Sequence, residues 1–306
     1  MQLPVFDVDA LDRGEGIAAL NRACEGAGFF YITNHGIDDA LLLTVREQML
    51  QFFALPLAER LAIGLDKSTC HHGYERMGEQ RLEAGAPPDL KEGFYIGNEL
   101  AADHPHVLAG YFNQGPNQWP VSLPSFRPAM EAYFTAMIGL AARMMRAMAL
   151  SLGLQQDTFD SFCTDAMAVL RLLHYPPQPP NPQPGEKGCG EHTDWGCLTL
   201  LWQDDAGGLQ VRSGGDWIDA PPLPGTFVVN MGDMFARWTN DRYRSTLHRV
   251  VNRSGRDRYS VPFFFEGNPG HRVAILEGCV VPGEAARYPA TTVSDHLATM
   301  YRKTFA

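Results

Sequence analysis

The sequence has no excess of positive charge: 25 Lys and Arg stand against 35 Asp and Glu, a formal net charge of −10. Nucleic acid and anionic membrane surfaces demand a basic face, so neither is an expected partner. There is also no apolar run close to the roughly 20 residues that span a bilayer. The greasiest stretch, residues 130–154, carries Glu131, Arg143 and Arg146 and reads as a core helix instead. The opening MQLPVFDVDALDRGEG lacks the basic-then-apolar pattern of a secretory signal, so the expected location is the cytoplasm. The six cysteines, Cys24, Cys70, Cys163, Cys189, Cys197 and Cys279, form no C-x-x-C pair. That argues against a thiolate zinc site and a disulfide framework, and leaves free thiols. No internal repeat and no low-complexity tract is present.

What is present is an ordinary globular composition, 45% hydrophobic and 20% charged, in a chain long enough for one large domain or two smaller ones. The first half reads as mostly helical. LPVFDVDAL is a short strand and turn, GIAALNRACEGAG opens a helix that ends in glycines, FFYIT is a strand, and 40–53 and 57–65 are two more helices broken at Pro56. Residues 66–124 are rich in Gly, His, Pro and charge and read as long loops, while 130–154 is the strongest helix. From residue 166 the pattern changes to short β-prone runs: AMAVLRLLHYPP, CLTLLWQ, GLQVRS, DWIDAP, TFVVNMG, STLHRVVN and YSVPFFFEG. Turn signals such as DDAGG and SGGD separate them, as in a sandwich or barrel able to hold a ligand. Residues 295–305 read as a closing helix.

One stretch, GCGEHTDWGCLTLL (188–201), places His192 and Asp194 two positions apart at the mouth of an apolar strand. Residues i and i+2 of a strand point the same way, so both can reach one point. A third donor is available in His248, mid-strand in RSTLHRVVN, which an antiparallel jelly roll can bring face to face with His192. Two imidazoles and a carboxylate on one face leave open positions, as in non-haem Fe(II) oxygenases. The plain alternative is a polar turn with an incidental histidine. Ten positions past His248, Arg258 and Ser260 again share one strand face, and a guanidinium with a hydroxyl makes a carboxylate clamp. A surface strand with a solvated arginine is the alternative there.

Taken together, HTD (192–194), HRV (248–250) and RYS (258–260) resemble the iron- and 2-oxoglutarate-dependent dioxygenases of the isopenicillin N synthase-like family. LPVFDVDAL, GFFYITNHGI and DLKEGFYIG resemble that family's N-terminal region, and LRLLHYPP, VVNMGDMFARWTND and SVPFFF its core. The resemblance implies a mainly β fold with flanking helices (α+β) around a double-stranded β-helix, or jelly-roll, core. Residues 1–120 would form the N-terminal helical and mixed region. Residues 121–306 would form the long helix, catalytic core and C-terminal helix, the two segments packed as one unit. It further implies Fe(II) held by His192, Asp194 and His248, and 2-oxoglutarate held at its far carboxylate by Arg258 and Ser260 with Tyr175 nearby. O2 would be the oxidant and ascorbate an optional reductant. The implied reaction oxidises, most simply hydroxylates, a small molecule with release of succinate and CO2. Leu173 departs from the pattern: plant members frequently have Asn there, so that cosubstrate contact is absent or replaced.

Several neighbours carry two readings. Trp195 would point across the strand from the ligands, walling the substrate pocket or capping the core. Arg171, on the same face as Tyr175, would receive an acidic substrate or pair with a structural carboxylate. Among Phe263, Phe264 and Phe265, which alternate faces, at least one is core and Phe264 is the pocket candidate. Asn230 either sits by the site or forms a turn. Cys189 and Cys197 are expected to pack, and Glu191 to be an exposed loop acid. Competing functions are a 2-oxoglutarate-independent iron oxidase of the isopenicillin N synthase type, a non-catalytic small-acid binding protein, and a zinc hydrolase, which the clamp disfavours.

Overall fold

A computed structural model of the chain describes residues 2–82, 85–280, 283 and 285–305. The N-terminal segment supplies β1 (Val5–Asp7), α1 (Val8–Asp12), α2 (Ile17–Glu25), β2 (Phe29–Thr33), α3 (Asp39–Phe53) and α4 (Leu57–Ala62). Then come β3 (Gly73–Glu75), β4 (Glu92–Gly97), α5 (Pro105–Leu108), the long α6 (Phe126–Ser151) and α7 (Asp160–Cys163). The β-rich half contains β5 (Met167–Tyr175), β6 (Cys189–His192), β7 (Leu198–Gln203), β8 (Leu209–Ser213), β9 (Asp216–Asp219) and β10 (Phe227–Met231). It continues through α8 (Asp233–Trp238), β11 (His248–Val250) and β12 (Arg258–Gly267) to α9 (Val293–Phe305).

The strands form a major sheet in the order β1-β2-β10-β7-β12-β5-β4-β3 and a minor sheet in the order β6-β11-β8-β9. Pairing is antiparallel except for β1 with β2. The expected jelly-roll core with flanking helices is what the chain adopts. Helix α6 backs the major sheet because Met130, Tyr133, Met137, Leu140, Met144 and Met148 recur at three- and four-residue spacing, all essentially inaccessible. Pro128 falls in its first turn, where a missing N–H costs no helical bond. Phe134 of α6 meets Phe263 of β12 edge-on at 5.3 Å. Arg143 ties the same helix to α1 through Asp9 and Asp12, at 2.9 and 2.7 Å.

Two readings of the sequence need correction. The turn after β1 is a helix, α1, capped by the Asp7 side chain on the Ala10 N–H. Residues 66–124 are not all loop: β3 and β4 extend the major sheet beyond β5. The charges in DLKEGFYIG disguise β4, yet they are buried and satisfied. Glu92 accepts from Tyr74 and Arg60, and pairs with His174 at 2.8 Å, which in turn meets Asp257 at 3.1 Å. Phe94 and Ile96 beside it fill the helix-facing core.

This polar clasp makes stability depend on pH. Burial pulls the His174 pKa down, but hydrogen bonds and charge from Glu92 and Asp257 outweigh it and hold it above the usual imidazole value. A raised folded-state pKa stabilises fully below the unfolded value, about 6.5, and the benefit is lost as pH rises through the folded value. Urea unfolding should therefore show a stability loss above about pH 6.5 that His174→Gln removes.

Glycines offer a second check. Gly267 ends β12 at φ +83, and a Cβ there would lie 2.0 Å from the Phe162 ring. Gly267→Ala should cost about 2–4 kcal/mol from strain and overpacking. Gly139, inside α6 with nothing within 4 Å, should gain roughly 0.5–1 kcal/mol as Ala. Denaturant midpoints read both.

Candidate active site

Strand β6 pairs with β11 so that His192 lies directly opposite His248. The strand ends there, and the chain turns before β7, placing Asp194 between the two sheets. Its Oδ1 lies 3.8 Å from His192 Nε2 and 3.6 Å from His248 Nε2. Ligand atoms of all three residues fall within 4.8 Å of one another, the one such His/Cys/Asp/Glu cluster among the described residues.

Each donor is held in the form a metal needs. His192 Nδ1 is 2.8 Å from the Gly190 carbonyl and His248 Nδ1 is 3.2 Å from that of Thr246. These bonds put the proton on Nδ1 and leave both Nε2 lone pairs facing Asp194. The other Asp194 oxygen, Oδ2, accepts from Thr199 Oγ1 at 2.6 Å and Asn230 Nδ2 at 2.8 Å. Burial lowers the pKa of His192 and, with the charge of His192 itself, pushes His248 down to about 4. Burial opposes ionisation of Asp194, but the two imidazoles, Asn230 and Thr199 hold its pKa below the usual carboxylate value. At neutral pH the cluster is two neutral imidazoles and one carboxylate, a donor set suited to ferrous iron.

A cavity of ≈ 480 Å³ opens from this cluster along the inner face of β12, where Arg258, Ser260, Pro262, Phe264 and Glu266 alternate inward. Arg258 is 0% exposed. Its Nε donates to the Gly207 carbonyl at 2.6 Å, Nη1 to Ser260 Oγ at 3.0 Å and Nη2 to Gln203 Oε1 at 3.3 Å. Its guanidinium carbon stands 4.7 Å from the centre of the Tyr175 ring. No carboxylate of the described residues pairs with it, so a fully buried cation faces the cavity without a counter-charge.

Phe264 lines the cavity while Phe263 and Phe265 are core. Trp195 also lines it: because β6 ends at His192, the strand alternation that would send Trp195 to the other face does not apply. Arg171 borders the cavity, but its charge is met by Glu75 at 3.3 Å, and its guanidinium lies 4.1 Å from the Tyr95 ring centre. Leu173 presents only an apolar side chain to the cavity. Asn230 is a strand residue bonded to Asp194, not a turn former. Glu191 is no free loop acid, since it pairs with Arg249 at 3.0 Å and Lys187 at 3.5 Å. Cys197 packs in the core, whereas Cys189 sits 3.2 Å from Lys91 Nζ.

Sequence reasoning passed over Thr199, Gln203, Glu266 and the buried pair Lys91–Asp89. Lys91 Nζ donates to Asp89 at 2.6 Å, and Asp89 accepts from the Gly190 N–H at 2.9 Å, so this pair props β6 from the N-terminal segment. Burial works against the Lys91 charge, but Cys189 and Asp89 outweigh it and keep its pKa above the usual lysine value. The only sequence signal was proximity in DLKEGFYIG. Glu266 lines the cavity near Asp194, where burial and the Asp194 charge push its carboxyl up to about 8.

Comparison with known proteins agrees with this geometry. Residues 166–267 match the 2OG-Fe(II) oxygenase superfamily, and residues 3–122 match the family described as non-haem dioxygenase in morphine synthesis N-terminal. The chain is 42% identical to the 2-oxoglutarate-Fe(II) type oxidoreductase hxnY of Emericella nidulans, over 99% of this chain and 88% of that one. It is 39% identical to a homoarginine-6-hydroxylase of Oryza sativa subsp. japonica, over 92% and 87%. A crystal structure of a full-length Neurospora crassa protein in complex with alpha-KG and thymine superposes with a TM-score of 0.87, at 32% identity, covering 99% of this chain and 97% of that one. The chain therefore belongs to the 2OG-Fe(II) oxygenase superfamily and is an Fe(II)- and 2-oxoglutarate-dependent dioxygenase.

Proposed function

We propose that His192 Nε2, Asp194 Oδ1 and His248 Nε2 hold the ferrous ion, and that Arg258 and Ser260, beside Tyr175, hold the far carboxylate of 2-oxoglutarate. The observation that carries this reading is Arg258. A guanidinium with no exposure and no acidic partner needs an anion, and the cavity it faces leads to the three-donor cluster. Ferrous iron with 2-oxoglutarate supplies oxidative decarboxylation to succinate and CO2, coupled to oxidation of a substrate C–H bond by O2. The chain's own groups do the positioning. Thr199 and Asn230 fix the Asp194 carboxylate so that one oxygen stays free for metal. Backbone carbonyls fix both imidazoles, and Tyr175 and Leu173 wall the cosubstrate end against water.

The substrate end is bounded by Tyr95, Phe112, Trp195, Phe264 and Tyr301, with polar groups from Glu75, Gln80 and Arg171. This suits a small, partly polar organic molecule lying on aromatic walls, and hydroxylation is the outcome we assign. In this reading Arg171 shapes the wall through its Glu75 pair. Relatives named for homoarginine, or solved with thymine, are consistent with a compact nitrogen-bearing substrate. The acidic chain is read as binding no nucleic acid. Among the described residues no helix is long and apolar enough to cross a membrane. Residues 1–120 and 121–306 act as one unit, since Phe29, Glu75, Gln80, Tyr95 and Phe112 of the first segment help line a cavity built mostly by the second.

Two measurements test the assignments. His248→Ala should abolish Mn(II) binding, read by calorimetry, and Asn230→Ala should weaken it about 10–100-fold because Asp194 loses a support. Unchanged affinity in both would remove these residues from the metal site. Succinate release in O2 should require 2-oxoglutarate. Arg258→Gln should raise its KM about tenfold or more, the loss of a charge-assisted bond, with a smaller effect on kcat at saturation. An unaltered KM would reject the clamp.

A further inference from the structure

Helix α9 is a wall shared by two recesses. Leu297 and Tyr301 face the iron-site cavity. His296, Met300 and Lys303, on another side of the same helix, face a second cleft of ≈ 840 Å³. The far walls of that cleft are α8, the tip of the β8–β9 hairpin and the segment leading into β11.

Four cations line this cleft from three walls and the helix: Arg212, Arg237, Arg244 and Lys303. None forms an ion pair with a carboxylate among the described residues. Their contacts fix them without neutralising them. Arg212 lies 5.3 Å from the Trp217 ring centre and Arg237 5.1 Å from that of Tyr288. Arg237 donates to the Pro289 carbonyl, and Arg244 Nε donates to that of Glu25 at 2.9 Å. The buried Nε of Arg237 has no acceptor. The two acids of the cleft are engaged elsewhere: Asp241 with Arg287 at 2.9 Å, and Asp233 with Thr193 Oγ1 at 3.1 Å. Several other arginines of this acidic chain are matched, Arg143 by Asp9 and Asp12, Arg242 by Glu25 and Arg249 by Glu191. Arg212, Arg244 and Lys303 are exposed and Arg237 half-buried, so solvent screens their mutual repulsion in part and a bound anion relieves the rest.

We infer that this cleft is a second binding site, distinct from the iron-site cavity, for a phosphate-bearing small molecule. A phosphate carries more charge and more acceptor oxygens than a carboxylate, so it can engage several guanidinium groups from different walls at once. The volume admits a phosphorylated molecule and not merely one oxyanion. The site is also wired to the metal loop. His296 Nε2 lies 2.8 Å from the Trp195 carbonyl, and Asp233 holds Thr193, so the two residues flanking Asp194 rest on the floor of this cleft. An anion held by Lys303 and Arg237 braces α9, whose opposite side closes the substrate cavity.

The test titrates inorganic phosphate by calorimetry, at low ionic strength, into full-length protein loaded with Mn(II) and 2-oxoglutarate, so that Arg258 is already occupied. Saturable binding is expected, weakened about tenfold or more in Arg244→Gln/Lys303→Gln, the loss of charge-assisted bonds. The charge-matched pair Arg46→Gln/Arg76→Gln, on other surfaces, should bind phosphate as the parent does. Absence of saturable binding, or equal weakening in both doubles, overturns the proposal. So does a cleft double that leaves phosphate affinity unchanged yet converts a dimer to monomer in sedimentation, because the cleft is then a protein interface. Failure to bind 2-oxoglutarate at the loading step would instead count against the proposed function.

Discussion

The site depends on one carboxylate shared between two sheets. Asp194 sits where the minor sheet ends, and its two oxygens face different neighbours. Oδ2 is fixed by Thr199 of β7 and Asn230 of β10, both in the major sheet. Oδ1 faces the imidazoles of β6 and β11 in the minor sheet. Burying a charge this deeply is costly without partners, and each of the four surrounding groups lowers that cost. The geometry at the metal position is therefore set by how the sheets meet, and neither sheet could produce it alone.

The cavity follows from the same arrangement. Strand β12 carries a fully buried arginine at one end of its inner face and an aromatic floor toward the other, so a cationic region and an aromatic region lie in series along one strand. The outer face of that strand, with Phe263 and Phe265, packs toward the helices and holds the inner face still. Arg171 shows how local context decides a role. On composition alone it could await an acidic ligand, but Glu75 from β3 already supplies the counter-charge.

Much of this was legible in the sequence, and for identifiable reasons. Arg258 and Ser260 share one face of β12, and His248 lies on a short β-prone run that pairs with β6, so their approach to His192 could be anticipated, while Asp194 converges through the turn after β6 and not through the pleat. Trp195 could not be placed that way, because alternation fails once β6 ends. Strand β4 was hidden because Asp89, Lys91 and Glu92 look like solvent-facing charge, and only the fold reveals that Cys189, Gly190, Tyr74 and His174 satisfy them. Asn230 and Glu191 were ambiguous for the same reason: their partners, Asp194 and Arg249, lie far away in the chain.

The Asp89–Lys91 pair has a bearing on modularity. Asp89 reaches across 101 positions of chain to grip the amide of Gly190, two residues before His192 of the three-donor cluster. A catalytic half cut away from what precedes it would lose that grip and leave β6 with an unpaired amide beside an ungoverned thiol. Grafting the barrel into another protein would thus require transplanting a stretch remote in sequence.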